Sequence, residues 1–155
     1  MITYDTVQTS VRDALMADAE LSQMAIILHG EDRDIVPEIR DALKSKGVAI
    51  VIQSEVDGDT RDQALSGRGT AIMDLWIPVL IQENVKVNRA LGGTGIEIRE
   101  LVQRVIGSAL AYPRTAMHPS MRIKLREAAL SNLTRQDGME ERLISLSVPT
   151  SFKAS

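Results

Sequence analysis

The spacing of apolar residues along this chain predicts three amphipathic helices. We expect them over about Thr6 to Ala17, from Ile35 to Lys46 and from Glu97 to Leu110, because apolar residues recur there three or four positions apart. Polar caps and a glycine stop delimit these helices: Asp5 with Gln8 as a capping box, Asp34 and Gly47 around the second helix, and Thr94 with Glu97 as another capping box. Gln8 falls on the polar side of the first helix.

Four apolar runs have the composition of strands. Ala25 to Leu28 predicts a short strand, with a helix as the alternative at that length, and the β-branched run Val48 to Gln53 predicts a central strand. Thr70 to Gln82 alternates between a wholly apolar face and a mixed face, and Arg142 to Val148 alternates with serines. Pro78 cannot donate a ladder hydrogen bond, so the third strand is expected to lie at an edge there or to carry a bulge.

Three segments lack a clear period. We expect a long mobile loop at 57–69, an irregular arm at 112–141 and a polar tail at 149–155. Within the arm, Met121 to Leu133 is compatible with a short helix or an extended segment. The whole pattern predicts a single α+β domain, residues 1–155, in which an antiparallel or mixed sheet has helices packed on one face.

Composition narrows the classes of function. The net charge of −3 and the isoelectric point near 5.4 lack the basic excess that tight nucleic-acid binding requires. The chain has no cysteine, which excludes disulfides, thiolate metal sites and a cysteine nucleophile. No apolar stretch approaches the length of a membrane span. We therefore expect a protein without a membrane anchor that is made in the cytoplasm.

The loop Gly92 to Gly95 is the main candidate for ligand chemistry. Glycines before a helix can cradle a phosphate on free N–H groups. However, the loop lacks the lysine of a P-loop and does not match the dinucleotide fingerprint, and a structural turn with a threonine cap explains the same residues. The phosphate interpretation is kept as the alternative to a structural one.

No other group of residues indicates catalysis. His29 lies near Glu31, Asp32 and Asp34, but the spacing matches no common metal motif, and a solvated acidic loop accounts for it. His118 has no carboxylate near it in sequence. We assign no catalytic residue, cofactor or metal ligand, and we do not expect an enzyme.

Trp76 indicates a contact surface. It falls on the mixed face of the third strand with Ile72 and Leu80, and would expose an apolar patch unless a helix, the tail or another subunit covers it. Core packing and a subunit contact both remain open.

The order of elements resembles the tail-terminator, or tail-completion, proteins of tailed bacteriophages. The resemblance rests on a helix ending in Asp13 to Leu21, an extended run Ala49 to Gln53, the long strand Thr70 to Gln82, the helix Glu97 to Leu110 and the closing strand Leu143 to Val148. It covers most of the chain in layout and contains no diagnostic motif.

This resemblance implies an α+β subunit of a hexameric ring. Such a ring caps the tail tube, meets the head-side connector and lets DNA pass through its lumen without specific binding, so the protein would be part of the virion after assembly in the host cytoplasm. The loop 57–69 and the arm 112–141 would then lie at interfaces. The candidate interface residues are Asp57, Asp59, Arg61, Asp62, Arg68, Trp76, Pro78, Arg114 and Arg122.

Two other classes compete with this hypothesis. The chain could be a small cytosolic enzyme or nucleotide-binding protein that uses the loop Gly92 to Gly95. It could also be a regulatory or toxin-associated module that dimerises through the face of Trp76. The first is expected to bind nucleotide, and the second to form a stable dimer without a larger ring.

Overall fold

A computed structural model describes residues 4–30, 33–53, 57–60, 70–111, 123–132 and 138–153. Four α-helices, one short 3₁₀ helix and six strands are present in these ranges. In chain order they are α1 Tyr4–Met16, the 3₁₀ helix Leu21–Gln23, β1 Ala25–Leu28, α2 Val36–Ser45, β2 Val48–Ile52, β3 Asp57–Thr60, β4 Thr70–Asn84, α3 Val85–Ala90, α4 Ile98–Leu110, β5 Lys124–Asn132 and β6 Met139–Lys153.

The strands form one mixed sheet in the order β1-β2-β4-β6-β5, with β3 pairing beside β2 on the same side of β4. β1 and β2 are parallel and the other pairs are antiparallel. β4 and β6 pair along their whole length, from Thr70 opposite Lys153 to Asn84 opposite Met139. The α+β class and the mixed sheet predicted from the sequence are confirmed.

Helices α1 and α4 cover one face of the sheet and enclose the main core. Alternate residues of β2, β4 and β6 point into it, so period-2 strands meet the apolar stripes of two period-3.6 helices. The fully buried large side chains include Leu15, Ile50, Ile77, Leu101 and Ile144. This face holds most of the apolar area that leaves water on folding.

Helix α2 packs against the opposite face at the β1–β2 end of the sheet. There Ile35 and Ile39 cover Ile27, Val51 and Leu80 in a second, smaller cluster. The expectation of helices on one face therefore holds for α1 and α4, whereas α2 lies on the other face. The reason is the parallel β1–α2–β2 connection, since α2 carries the chain from one end of the sheet back to the other.

Pro78 lies in a central strand, so the expected edge position is wrong. Its carbonyl accepts a hydrogen bond of 2.9 Å from the N–H of Gln53. Because the N–H and C=O of a strand residue point to the same side, the missing donor of Pro78 faces the break between β2, which ends at Ile52, and β3, which begins at Asp57. On the other side Pro78 pairs with Ser145 of β6.

Several segments predicted to be irregular are strands. Residues 57–60 of the expected loop form β3, residues 124–132 of the expected arm form β5, and the arm's last residues begin β6. The expected polar tail continues β6 to Lys153, because it pairs with the first residues of β4. Residues 61–69, 112–122 and 133–137 lie outside the described ranges. The helix predicted as Ile35 to Lys46 is confirmed as α2, shorter by one residue at each end.

Gln8 does not cap α1, because the helix already begins at Tyr4. The side chain is instead buried, with 5 % of its surface exposed. Its Nε2 donates to the carbonyls of Gln53 at 2.8 Å and His29 at 3.0 Å, with a longer contact of 3.4 Å to Ile52. Gln8 therefore ties α1 to the ends of both parallel strands.

The segment after α1 is held by Asp18. Its carboxylate accepts hydrogen bonds from the N–H groups of Glu20 at 2.9 Å and Leu21 at 3.1 Å, and Arg104 of α4 lies 3.4 Å away. Burial acts to raise the pKa of Asp18, but the hydrogen bonds from Leu21 and Glu20 and the charge of Arg104 outweigh it and lower that pKa. None of the helices in the described ranges is long and apolar enough to cross a membrane.

Replacing Gln8 by Met should lower the free energy of unfolding by roughly 1–3 kcal/mol, because the partly buried carbonyls of His29 and Gln53 lose their donor. Urea unfolding followed by circular dichroism measures the change. The same exchange at the exposed Gln103 of α4 is the control and should have little effect. Equal effects at both positions would contradict the role of Gln8.

Asp18→Asn should lower stability at neutral pH, because Asn keeps an acceptor oxygen but loses the charge that faces Arg104. The folded-state pKa of Asp18 is depressed, so its contribution is present above the ordinary carboxyl pKa of about 4 and is lost as the pH falls through the lower folded value. Unfolding curves of both proteins between neutral and acidic pH should therefore converge below about pH 4. A gap that stays constant over this range would refute the assignment.

Candidate functional site

The loop Gly92 to Gly95 is organised by the side chain of Asn88, which is 1 % exposed. Its Oδ1 accepts hydrogen bonds from the N–H of Thr94 at 3.0 Å and from the Thr94 hydroxyl. Its Nδ2 donates to the carbonyl of Ile96 at 2.8 Å. One amide in α3 thus fixes both ends of the turn that leads to α4.

The N–H groups of Gly93, Thr94 and Gly95 are already used within the protein. Gly93 donates to Val87 at 3.1 Å, Gly95 to Asn88 at 3.0 Å, and Ile96 to the Thr94 hydroxyl at 3.2 Å. The loop therefore has the hydrogen bonding of a structural turn. The predicted capping box is also absent: α4 begins at Ile98, its N-cap Glu97 makes no side-chain capping bond, and the Thr94 hydroxyl bonds to Asn88 instead.

Two glycines allow backbones to meet at this turn. A Cβ on Gly93 would lie 2.4 Å from the carbonyl oxygen of Lys46 and 2.5 Å from the Cα of Asn88. Gly47, which ends α2 with a φ of +80°, would place a Cβ 2.4 Å from the N atom of Asn88. Both contacts are too close for any side chain, so the end of α2 packs directly on α3 and the loop.

An ion pair between the buried Glu83 and the exposed Arg89 anchors α3 to the sheet. Glu83 is fully buried, and its carboxylate accepts hydrogen bonds from Arg89 at 2.8 and 3.2 Å and from Asn88 at 2.9 Å. Glu140 lies directly across from Glu83 in the sheet, and Arg89 is 3.9 Å from it. The hydrogen bond with Glu83 is the main reason why the pKa of Arg89 is raised above its usual value.

A cleft of about 290 Å³ opens beside this loop. Lys46 lines one part of it and donates from Nζ to the carbonyl of Gln23 at 2.6 Å, while the Glu20 side chain lines another part. A charged ligand in this cleft would be attracted by one of these two groups and repelled by the other, since Lys46 is positive and Glu20 is negative. This geometry does not select an anion.

Trp76 is half-buried and lies on the same face of the sheet as α2, which covers only the β1–β2 end of that face. The guanidinium of Arg126 stacks on the indole, 3.0 Å from the ring centre, in a cation–π contact. The chain thus covers much of the indole with its own β5. Arg126 was not predicted from the sequence, because it lies in the segment 112–141 that was expected to be irregular.

The structure places the other predicted interface residues as follows. Asp57 and Asp59 belong to β3, where their main chain pairs with Trp76 and Asp74 of β4. Pro78 is central in the sheet rather than at its edge. The remaining members, Arg61, Asp62, Arg68, Arg114 and Arg122, lie outside the described residues.

The register places residues of opposite charge at the two ends of one row, that is, of one set of residues paired side by side across β3, β4, β6 and β5. Asp57 pairs with Trp76, Trp76 with Ser147, and Ser147 with Lys124. Lys124 is exposed. An acidic strand, β3, and the basic start of β5 therefore lie at opposite edges of the sheet, level with each other.

The histidine cluster has no metal-site geometry in the described ranges. His29 Nδ1 lies 3.4 Å from the side-chain oxygen of Gln53, and the Asp34 carboxylate accepts the N–H of Val36 at 3.0 Å. No group of three or more potential metal ligands is found among the residues that the structure describes. Glu31, Asp32 and His118 are outside them.

Comparison with known proteins adds no assignment. No protein-family model and no curated protein matches this chain.

Gly93→Ala should lower the free energy of unfolding by roughly 2–3 kcal/mol, because the added Cβ would force the Lys46 carbonyl and α3 apart. Gly107→Ala is the matched control, since a Cβ at this exposed helical position meets nothing and should stabilise by up to about 1 kcal/mol. Thermal unfolding of both variants measures the effects. A neutral Gly93→Ala would show that the close packing is not required.

Proposed function

We propose that this chain is a structural subunit of a tailed bacteriophage or a phage-like particle, a tail terminator that forms a hexameric ring. The ring would cap the tail tube on one side and receive the head-side connector protein on the other. Its action would be geometric, without catalysis or a cofactor. Localisation in the virion, after assembly in the bacterial cytoplasm, belongs to the same proposal.

The observation that carries the proposal is the placement of β3 and β5 at opposite edges of one row. Subunits in a ring are related by a rotation, so each contact joins two different surfaces of the chain. The two segments expected at interfaces, 57–69 and 112–141, contain β3 and β5 respectively. In such a ring, β3 of one subunit would contact β5 of the next subunit.

Charge supports the direction of this contact. β3 carries Asp57 and Asp59, and β5 begins with Lys124 and, two positions on, Arg126. An acidic edge that faces a basic edge of the next subunit favours correct pairing and disfavours pairing of like edges. The net charge of −3 would also let DNA slide through the lumen rather than adhere to it.

The alternative phosphate-binding function gains no support from the loop Gly92 to Gly95. The N–H groups of Gly93, Thr94 and Gly95 bond within the protein, and the cleft beside the loop combines Lys46 with Glu20. We therefore propose one function.

The ring is tested by light scattering and negative-stain imaging of the same fraction over a range of protein and salt concentration. We expect hexameric rings with a central hole that dissociate at high salt, because exposed charges are screened there. If the free chain forms no rings, the same imaging with purified tail tubes decides. A chain that forms rings neither alone nor on tubes would overturn the proposal.

A charge exchange tests the edges. Asp57→Lys or Lys124→Asp alone should weaken ring formation, because like charges then face each other, and the double variant should restore it. Lys86→Asp, at an exposed position of α3, is the control. Rings that are unaffected by both single exchanges would place the contact elsewhere.

A further inference from the structure

The free edges of the sheet differ in how they are protected against pairing with another strand. β3 carries two aspartates, and β5 carries Lys124 and a register shift between Leu125 and Leu130. The outer side of β6 beyond Ser147 includes Pro149, which has no N–H. Charges, bulges and proline are the usual devices that keep an edge from pairing.

β1 has none of these devices. Its four residues, Ala25–Leu28, are uncharged and apolar, its register with β2 is regular, and no described strand pairs with its outer side. An edge of this kind is a template for another strand. Among the edges of the described sheet, β1 is thus the one that has neither charge, bulge nor proline, and only its length of four residues limits pairing.

The direction of the main-chain groups in β1 follows from one hydrogen bond. The N–H of His29 donates to the carbonyl of Ile52 at 3.0 Å, so His29 faces β2. Because alternate residues of a strand face opposite sides, Ala25 and Ile27 also direct their main-chain groups to β2. The N–H and C=O groups of Ile26 and Leu28 point away from the sheet.

The side chains of the same two residues are incompletely covered. Ile26 and Leu28 pack against the main core but are only partly buried, in contrast to Ile27, which is 5 % exposed. A further strand along this edge would cover both and pair their main chain. Ile26 and Leu28 therefore have both main-chain groups that point away from the sheet and side chains that are only partly buried.

We propose that two copies of the chain pair through β1 in antiparallel orientation about a two-fold axis. In the register with Ile26 opposite the partner copy's Leu28, the axis passes beside Ile27. Each such pair then exchanges both of its main-chain hydrogen bonds. The result is one continuous sheet across both copies.

The second copy is favoured as the occupant because β1 is self-complementary. A two-fold contact places a strand against itself, and β1 has no charge that would then meet its like. Pairing of β1 with the edge of β5 is disfavoured by the charges and the register shift there. β1 thus matches itself better than it matches any other free edge of the described sheet.

This pairing does not rest on the proposed ring. A ring uses rotation-related contacts at β3 and β5, and the β1 contact uses a two-fold axis elsewhere on the sheet, so one can fail while the other holds. We expect a dimer if the chain forms no rings in solution and a pair of rings if it does.

The test is the solution mass of the wild type and of Ala25→Lys. A lysine at the edge of β1 should weaken the association by about tenfold or more and halve the mass at intermediate concentration. Leu91→Lys, at an exposed position after α3 and outside both proposed contacts, is the control and should leave the mass unchanged. A wild type that shows neither dimers nor paired rings at any accessible concentration would overturn the proposal.

Residue-resolved amide hydrogen exchange of the wild type checks the surface without any variant. The amides of Ile26 and Leu28 should become protected as the protein concentration rises, while the amide of Ile27, which faces β2, is protected throughout. Rapid exchange of Ile26 and Leu28 at concentrations where the mass shows dimers would assign the dimer to another surface and refute the β1 contact.

Discussion

The ion pair between Glu83 and Arg89 is the interaction on which the path of the chain depends. Glu83 follows the core-facing residues of β4 in the same alternation, so the strand places a carboxylate inside the protein, opposite Glu140 of β6. An unpaired charge there would cost several kcal/mol, roughly 3–5 when a partner is removed. Helix α3 turns back at this point and brings Arg89 to the carboxylate. The buried charge thus requires the reversal of the chain after β4.

The same reversal positions α4. Asn88 lies next to Arg89, bonds to Glu83 and holds the turn at Thr94 and Ile96, so the start of α4 is set by the residues that neutralise Glu83. The close approach of Gly93 to Lys46 joins this corner to the end of α2. Helices on both faces of the sheet are therefore coupled through one polar corner rather than through the apolar core alone.

The elements that follow from a local period were predictable, and those that depend on distant partners were not. β2 and α4 were predicted within one residue of their observed bounds, because an unbroken apolar run marks β2 and a repeating buried face marks α4. β3, β5 and the end of β6 escaped prediction, since their polar composition is typical of loops and only pairing with β4 and β6 makes them strands. Among the site residues, Glu83 carried a signal: it continues the buried alternation of β4. Arg126 carried none, because its contact with Trp76 depends on the sheet register.

The distinctive features of the described sheet lie at its edges. An open sheet leaves unpaired main-chain donors and acceptors along its edge strands. The three edge strands described here differ: β3 carries charges, β5 carries a charge and a bulge, and β1 is apolar and uncharged. Edges of one kind would pair indiscriminately, whereas edges of different kinds limit which surfaces can meet. These differences between edge strands depend on the register of the sheet and on the positions of charges. Because they do not form a short motif, they cannot be recognised from the sequence. In a sheet built in this way, the order of the strands determines which edges are open to pairing.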